Sequence, residues 1–192
     1  IVRTAYRKFV MLVIVSTIPT GVIGILFKDT VELAGTMLIV PGICLLITSV
    51  FLVIADYADE GTKRPREASY VNAGLIGVAQ GIATMPGLSR SGTTITACLL
   101  CGFEKKFAVK YSFIMSIPAV LGAVVLELKD VAKAPLQASA VPACAVATVI
   151  SAIVGYLSIC IMMRLIQGKK YKIFAVYCAI VGLITVGYGI FR

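Results

Sequence analysis

The groups of this 192-residue chain best suited to chemistry sit together in one stretch, Pro86-Gly87-Leu88-Ser89-Arg90-Ser91-Gly92-Thr93-Thr94. A guanidinium carries its N–H donors in a rigid planar fork and can grip two oxygens of one phosphate. The hydroxyls of Ser89, Ser91, Thr93 and Thr94 add donors beside it. Pro86 and Gly87 break an incoming helix, and Ser89 or Ser91 can cap an outgoing one. That aims free backbone N–H groups and the positive end of a helix dipole at one point. Ser, Thr and Gly alone are common packing material between helices, but a cation set among them is not. Glu67 and Glu104 lie at the two far ends of the segment, so no carboxylate close in sequence neutralises Arg90. Its natural partner is a bound anion, and the pattern suits a phosphoryl group.

The elements that position this stretch belong to a membrane. Hydrophobic residues make up 59% of the chain and charged residues 14%, with a mean hydropathy of +1.00. A soluble domain runs nearer 45–50% and about 25%. Charge-free windows at 9–27, 33–55, 68–89, 134–163 and 173–191 approach or exceed the roughly 20 residues that cross a bilayer core of about 30 Å. Period-2 alternation is absent, which excludes a transmembrane barrel. The predicted spans are 9–27, softened at Pro19; 33–55; 111–126, extended by a snorkelling Lys110 with Tyr111 at the headgroups; 143–163, with Pro135 and Pro142 in the interface; and 173–191, entered through the turn Gly168 to Lys172. The net charge of +9 comes from cations in the short segments between apolar windows. This is the pattern of membrane topology and not of nucleic-acid binding.

Residues 68–103 fit no simple crossing, because 95–103 is too short to span. They either cross once or dip in and return. If they return, the groups at 3, 7, 8; 63, 64, 66; 105, 106, 110; and 164, 169, 170, 172 fall on one side, thirteen cations against four. If they cross once, the tally is nine against eight. The positive-inside rule therefore favours a re-entrant hairpin. Arg90 then lies at membrane depth, where an unpaired cation costs on the order of 2.5–3.5 kcal/mol.

Gly77 and Gly81 form a G-x-x-x-G suited to close helix packing. Gln80 can either orient water or substrate or form an interhelical hydrogen bond. The six cysteines all lie in apolar windows and read as small hydrophobes without a disulfide framework. Cys98 and Cys101 form a C-x-x-C, but the chain has no His to complete a zinc site, and no metal ligands are assigned.

Gly77, Gln80, Gly81, Pro86, Gly87, Ser89, Arg90, Ser91, Gly92 and Thr94 make up G-x-x-Q-G-x-x-x-x-P-G-x-S-R-S-G-x-T. This pattern resembles that of the bacterial undecaprenyl-diphosphate phosphatases linked to bacitracin resistance, and the resemblance covers essentially the whole chain. It implies hydrolysis of the C55 isoprenoid diphosphate to the monophosphate, recycling the lipid carrier of cell-wall synthesis in the bacterial inner membrane. It also implies that Arg90, Ser89, Ser91 and Thr94 are catalytic, that Gly87, Gly92, Thr93 and Gln80 bind substrate, and that a divalent cation, Mg or Ca, takes part. The expected partners are the polyprenyl diphosphate and the bilayer, and a homodimer is compatible.

The family resembles two inverted repeats, each a re-entrant hairpin followed by three spans. Its first hairpin carries paired acids and a P-V-S-S-x-G-H stretch that this chain lacks. The expected fold is therefore an all-α polytopic membrane protein with about five transmembrane helices and one re-entrant helical hairpin. Residues 1–55 are the last two spans of the first repeat, 56–67 a cytoplasmic loop, 68–103 the hairpin and 104–192 three spans, with an N-terminal half as the missing partner. Without His or paired acids, this chain lacks residues for general acid–base catalysis and metal binding. Two alternatives stay open on the sequence. One is a polyprenyl-phosphate transporter or flippase, since broken helices in inverted repeats also build transporters. The other is an inactive paralogue.

Overall fold

The computed structural model describes residues 2–58, 61–133, 141–167 and 171–191. The elements are all helical: α1 (Val2–Leu26), α2 (Lys28–Thr36), α3 (Ile39–Tyr57), α4 (Tyr70–Ile82), α5 (Arg90–Leu100), α6 (Lys105–Lys133), α7 (Val141–Gln167) and α8 (Tyr171–Phe191). Five of them, α1, α3, α6, α7 and α8, are long and apolar enough to cross a membrane. The chain is a multi-pass membrane protein.

The two short helices between α3 and α6 form the re-entrant hairpin. With 13 and 11 residues, α4 and α5 rise roughly 20 and 16 Å, too little to cross a core of about 30 Å. Both ends of the hairpin are fastened together. Lys63, ahead of α4, pairs with the strand-like residues after α5: its N–H donates to Gly102 O at 3.0 Å, and Glu104 N–H donates to Lys63 O at 2.9 Å. Arg64 Nε donates to Glu104 at 2.9 Å and the Arg64 N–H to Glu67 at 3.0 Å. The segment returns to the face it left, as the charge tally requires. The Lys8 ammonium donates to Arg66 O, and Lys172 lies 3.8 Å from Asp56. These contacts gather the start of α1, the end of α3 and the start of α8 on that same face.

Each hairpin helix begins at a serine cap. Ser69 Oγ accepts from Asn72 N–H at 3.1 Å and Ser89 Oγ from Gly92 N–H at 3.2 Å, each satisfying an amide that has no carbonyl one turn earlier. Helix α4 lies directly on α1. A Cβ at Gly77 would stand 2.2 Å from Ser16 O, and one at Gly81 would stand 2.8 Å from Ile23. The G-x-x-x-G is a close-packing device, as its spacing suggests. Helices α1 and α6 meet near the hairpin's mouth through Phe9, Phe107 and Tyr111, whose ring centroids are 5.7–6.1 Å apart.

Four expectations need correction. The second span does not begin at 33: residues 28–36 form the separate helix α2, which ends at an extended Met37, and α3 starts at Ile39. Lys28, Asp29 and Glu32 make that stretch too polar for the bilayer core, and Lys28 pairs with Glu32 one turn on at 3.7 Å. Tyr111 is not at the headgroups. It is 0% exposed, and its hydroxyl donates to Leu12 O at 2.8 Å. The span it belongs to runs over Lys105–Leu128. Finally, the fourth span begins at Val141 and not at 143, so Pro142 is the second residue of α7, a first-turn position where the missing N–H costs nothing. Pro135, Gly168, Lys169 and Lys170 lie outside the described residues.

Candidate anion site at the hairpin tip

Arg90 opens α5, at the end of the hairpin remote from its mouth. Eleven residues at about 1.5 Å each place it roughly 16 Å from that mouth. Helix α3 seats the turn before it. Gly87 has φ +88°, and a Cβ there would stand 2.3 Å from Pro41 O. Only glycine combines that backbone angle with so close an approach. The Thr48 hydroxyl, 1% exposed, accepts the Ser89 N–H at 2.9 Å, and it lies 2.9 Å from Cys44 O and 3.3 Å from Gly87 O. Farther along, Thr96 Oγ1 stands 3.0 Å from Phe51 O. Pro41, Thr48 and Phe51 thus form one track on α3 that fixes where α5 begins and which way it points. Sequence reading missed Thr48, since a lone threonine in an apolar span gives no signal until its partner is known.

The cap also decides which serine does what. Ser89 Oγ is occupied as an acceptor from Gly92 N–H, and Ser89 is absent from the lining of the cavities that Arg90 and Ser91 border. Arg90 and Ser91 are the first helical residues, so their N–H groups have no carbonyl one turn earlier within the helix. Arg90 and Ser91 line a cavity of about 320 Å³ with Ser112, Phe113 and Ser116 of α6. Arg90 also lines a larger cavity of about 630 Å³ between α1 and α6. Ser91 borders a third, about 380 Å³, with Phe113, Ser158 and Phe174. No carboxylate pairs with Arg90 among the described residues. Glu104 and Glu67 are both held by Arg64 at the mouth. The structure adds something the sequence order hid: Glu32 and Glu127 line the larger cavity together with Arg90 and Lys28.

The remaining candidate residues are placed differently. Thr94 is buried, 2.8 Å from Arg90 O and hydrogen-bonded to Ser112 Oγ, so it ties α5 to α6 beneath the site. Thr93 is buried, and its hydroxyl has no protein partner. Gly92 sits under the Ser89 side chain, which would be 3.1 Å from an added Cβ. Gln80 is fully buried between α4, α1 and α6. Its amide nitrogen is 3.4 Å from Thr20 Oγ1 and 3.5 Å from Met115 O, and its amide oxygen is unpartnered. Its contacts are interhelical, and it does not line the cavities that Arg90 lines.

The family profile described as Bacitracin resistance protein BacA matches residues 2–184. The chain belongs to that family. Curated proteins similar to this BacA-family chain include an undecaprenyl-diphosphatase of Methanosphaera stadtmanae, 41% identical over 186 residues that cover 96% of this chain and 66% of the relative. Another is that of Halothermothrix orenii, 39% identical over 180 residues, 94% and 70% of the two chains. A third, from Methanobrevibacter smithii, is 42% identical over 182 residues, 94% and 65%. The chain spans about two thirds of the length of the curated relatives it matches.

The residues present do not fit a divalent cation. No group of three or more His, Cys, Asp and Glu that could hold a metal occurs among the described residues. The carboxylates at the mouth are engaged by Arg64, and Glu32 is paired with Lys28.

Proposed function

We propose that this BacA-family chain carries the phosphate-gripping part of an undecaprenyl-diphosphate phosphatase, acting on the lipid diphosphate in the cytoplasmic membrane with the cation-rich face inside. The observation that carries this reading is Arg90, set at the start of the hairpin's second helix, without a carboxylate partner among the described residues and lining two cavities. The guanidinium holds two phosphoryl oxygens, the leading amides of α5 and the Ser91 hydroxyl complete the grip, and Thr48 and Gly87 hold the turn in place. Hydroxyls are weak nucleophiles near neutral pH without an adjacent base. The base belongs to the third of the relatives' length that this chain does not span, supplied in the same polypeptide or by a second one.

The test is phosphate release from undecaprenyl diphosphate by the purified chain, alone and co-expressed with the N-terminal third of the Halothermothrix orenii relative. The chain alone is expected to stay at background and the pair to turn over. Arg90→Lys should cost the pair at least 100-fold, because an ammonium keeps the charge but not the two-point geometry. Normal turnover by both Arg90→Lys and Arg90→Ala would make Arg90 a packing residue and end this reading.

A further inference from the structure

Helices α1 and α6 meet in direct contact near one end and line a cavity toward the other. Near the hairpin's mouth they are locked by Phe9, Phe107 and Tyr111, with the Tyr111 hydroxyl on Leu12 O. From Pro118, which lies inside α6, to Glu127, α6 lines a cavity of about 630 Å³ together with α1 and Arg90, a size within the roughly 300–1,000 Å³ of small-molecule sites. Gly21 and Gly24 of α1 and Gly122 of α6 line it, and a Cβ at any of the three would meet nothing within 4 Å. These glycines keep space open and do not bring backbones together.

The cavity has two different ends besides Arg90. One is rimmed by Lys28 and Glu32 of α2 and by Glu127 near the end of the α6 span, charged groups that water can reach. The other is sideways. Thr17, Gly21 and Pro118 also line a neighbouring apolar groove of about 430 Å³, which continues over Ile14, Ile18 and Val22. Those three side chains are about half exposed on a spanning helix and therefore face lipid. The space joins a cation, a route to water and a route to hydrocarbon.

We propose that this cleft seats the hydrocarbon chain of the diphosphate held at Arg90, the chain leaving sideways into the bilayer between Gly21 and Pro118, with Thr17 and Gly21 setting its fit. The inference rests on the phosphatase reading for the headgroup and adds the position of the tail. An occupant with one charged end and a long apolar end matches the cleft's charge at one end and its lipid-facing exit at the other. A soluble phosphate would have no use for the lateral opening.

The test uses the purified 192-residue chain in nanodiscs and a polyprenyl diphosphate carrying a diazirine a few isoprene units from the headgroup, with adducts mapped by mass spectrometry. Adducts are expected within 14–25 of α1 and 117–126 of α6. Inorganic diphosphate should compete them away, and Arg90→Ala should lose them. Gly21→Leu and Thr17→Leu, which fill the exit, should each cut labelling at least tenfold. Gly187→Leu, at a glycine of α8 that also faces open space, controls for the added bulk and should label as wild type. Diphosphate-sensitive adducts that need Arg90 but fall on α7 or α8, or full labelling of both Leu variants, would overturn the tail position alone. Labelling of the cleft that ignores both diphosphate and Arg90→Ala, or no labelling anywhere, would overturn the headgroup reading with it.

Discussion

Two sets of glycines in this chain have opposite surroundings. Around the hairpin, Gly77, Gly81 and Gly87 have no room for a methyl group: the nearest atoms, backbone in two cases, stand 2.2–2.8 Å from where a Cβ would be. In the cleft between α1 and α6, Gly21, Gly24 and Gly122 face space. The same residue type closes one region and opens the other. The hairpin has to hold Arg90 at one depth and in one direction, and close backbone packing with buried hydroxyls does that without a carboxylate. The cleft has to admit something, and there the small residues keep side chains out of the way.

Adding a methyl group should therefore do most harm in the hairpin turn. Gly87→Ala would force a side chain into a φ of +88°, at about 1–2 kcal/mol. It would also press a Cβ into the Pro41 carbonyl, which adds about 1–3 kcal/mol for overpacking. Relief requires the turn to lift off α3, taking Ser89 and Arg90 with it. The expected result in detergent is a lowered thermal midpoint and at least tenfold weaker binding of a short isoprenyl diphosphate. Wild-type values for both would mean that the turn does not depend on its seat on α3.

A smaller effect follows from Thr48, which joins the same two elements through one hydroxyl. Thr48→Val keeps the shape and removes the acceptor, leaving the Ser89 N–H without its partner at a cost of about 1–3 kcal/mol. Thr48→Ser keeps the acceptor and should fall within about 1 kcal/mol of wild type. Headgroup affinity should follow the same order, lowered by Val and rescued by Ser. Loss in Thr48→Ser with wild-type affinity in Thr48→Val would point to packing of the methyl group, and the hydrogen bond to Ser89 would then not be what positions Arg90.

Much of this was legible in the sequence, and the reasons are specific. Charge-free windows give the spans, because the bilayer imposes a length and a polarity that no tertiary contact overrides. Cation counts give the hairpin's return, since one reversal flips everything after it. The signature from Pro86 to Thr94 singles out Arg90, because an arginine among hydroxyls between apolar windows has few other uses, and the structure sets it in the lining of two cavities. What stayed hidden depends on which atoms meet across the fold. Tyr111 reads as an interfacial tyrosine until Leu12 and Ser16 are seen to take its hydroxyl. Thr94 reads as a ligand, and its hydrogen bond to Ser112 on α6 does not show in the chain order. Glu32 and Glu127 are 58 and 37 positions from Arg90 in the chain and still share its cavity. The break between α2 and α3 is missed for a different reason. Residues 33–38 are themselves apolar, and only the charges just before them show that the helix must stop and restart.

The smallest predicted change tests the comparison most directly, because it uses the same substitution in both regions. Gly24→Ala adds a methyl group where nothing lies within 4 Å. Its main effect is the lower backbone entropy of the unfolded chain and the better helix propensity of alanine, together about 0.5–1 kcal/mol in favour of folding. Gly77→Ala gains the same amount, but its new Cβ falls 2.2 Å from Ser16 O, and separating α4 from α1 should outweigh that gain. The two variants should therefore move the unfolding midpoint in opposite directions when measured in the same detergent, Gly24→Ala slightly up and Gly77→Ala down. Gly77→Ala should also disturb the contact between Thr20 Oγ1 and Gly77 O, now 2.8 Å. A second readout is trapping rate in a background free of other cysteines, with one cysteine replacing Thr20 and another replacing Gln80. It should drop in Gly77→Ala and hold in Gly24→Ala. A destabilised Gly24→Ala would mean that the space between α1 and α6 is filled in the folded protein by something that packs as tightly as α4 does on α1.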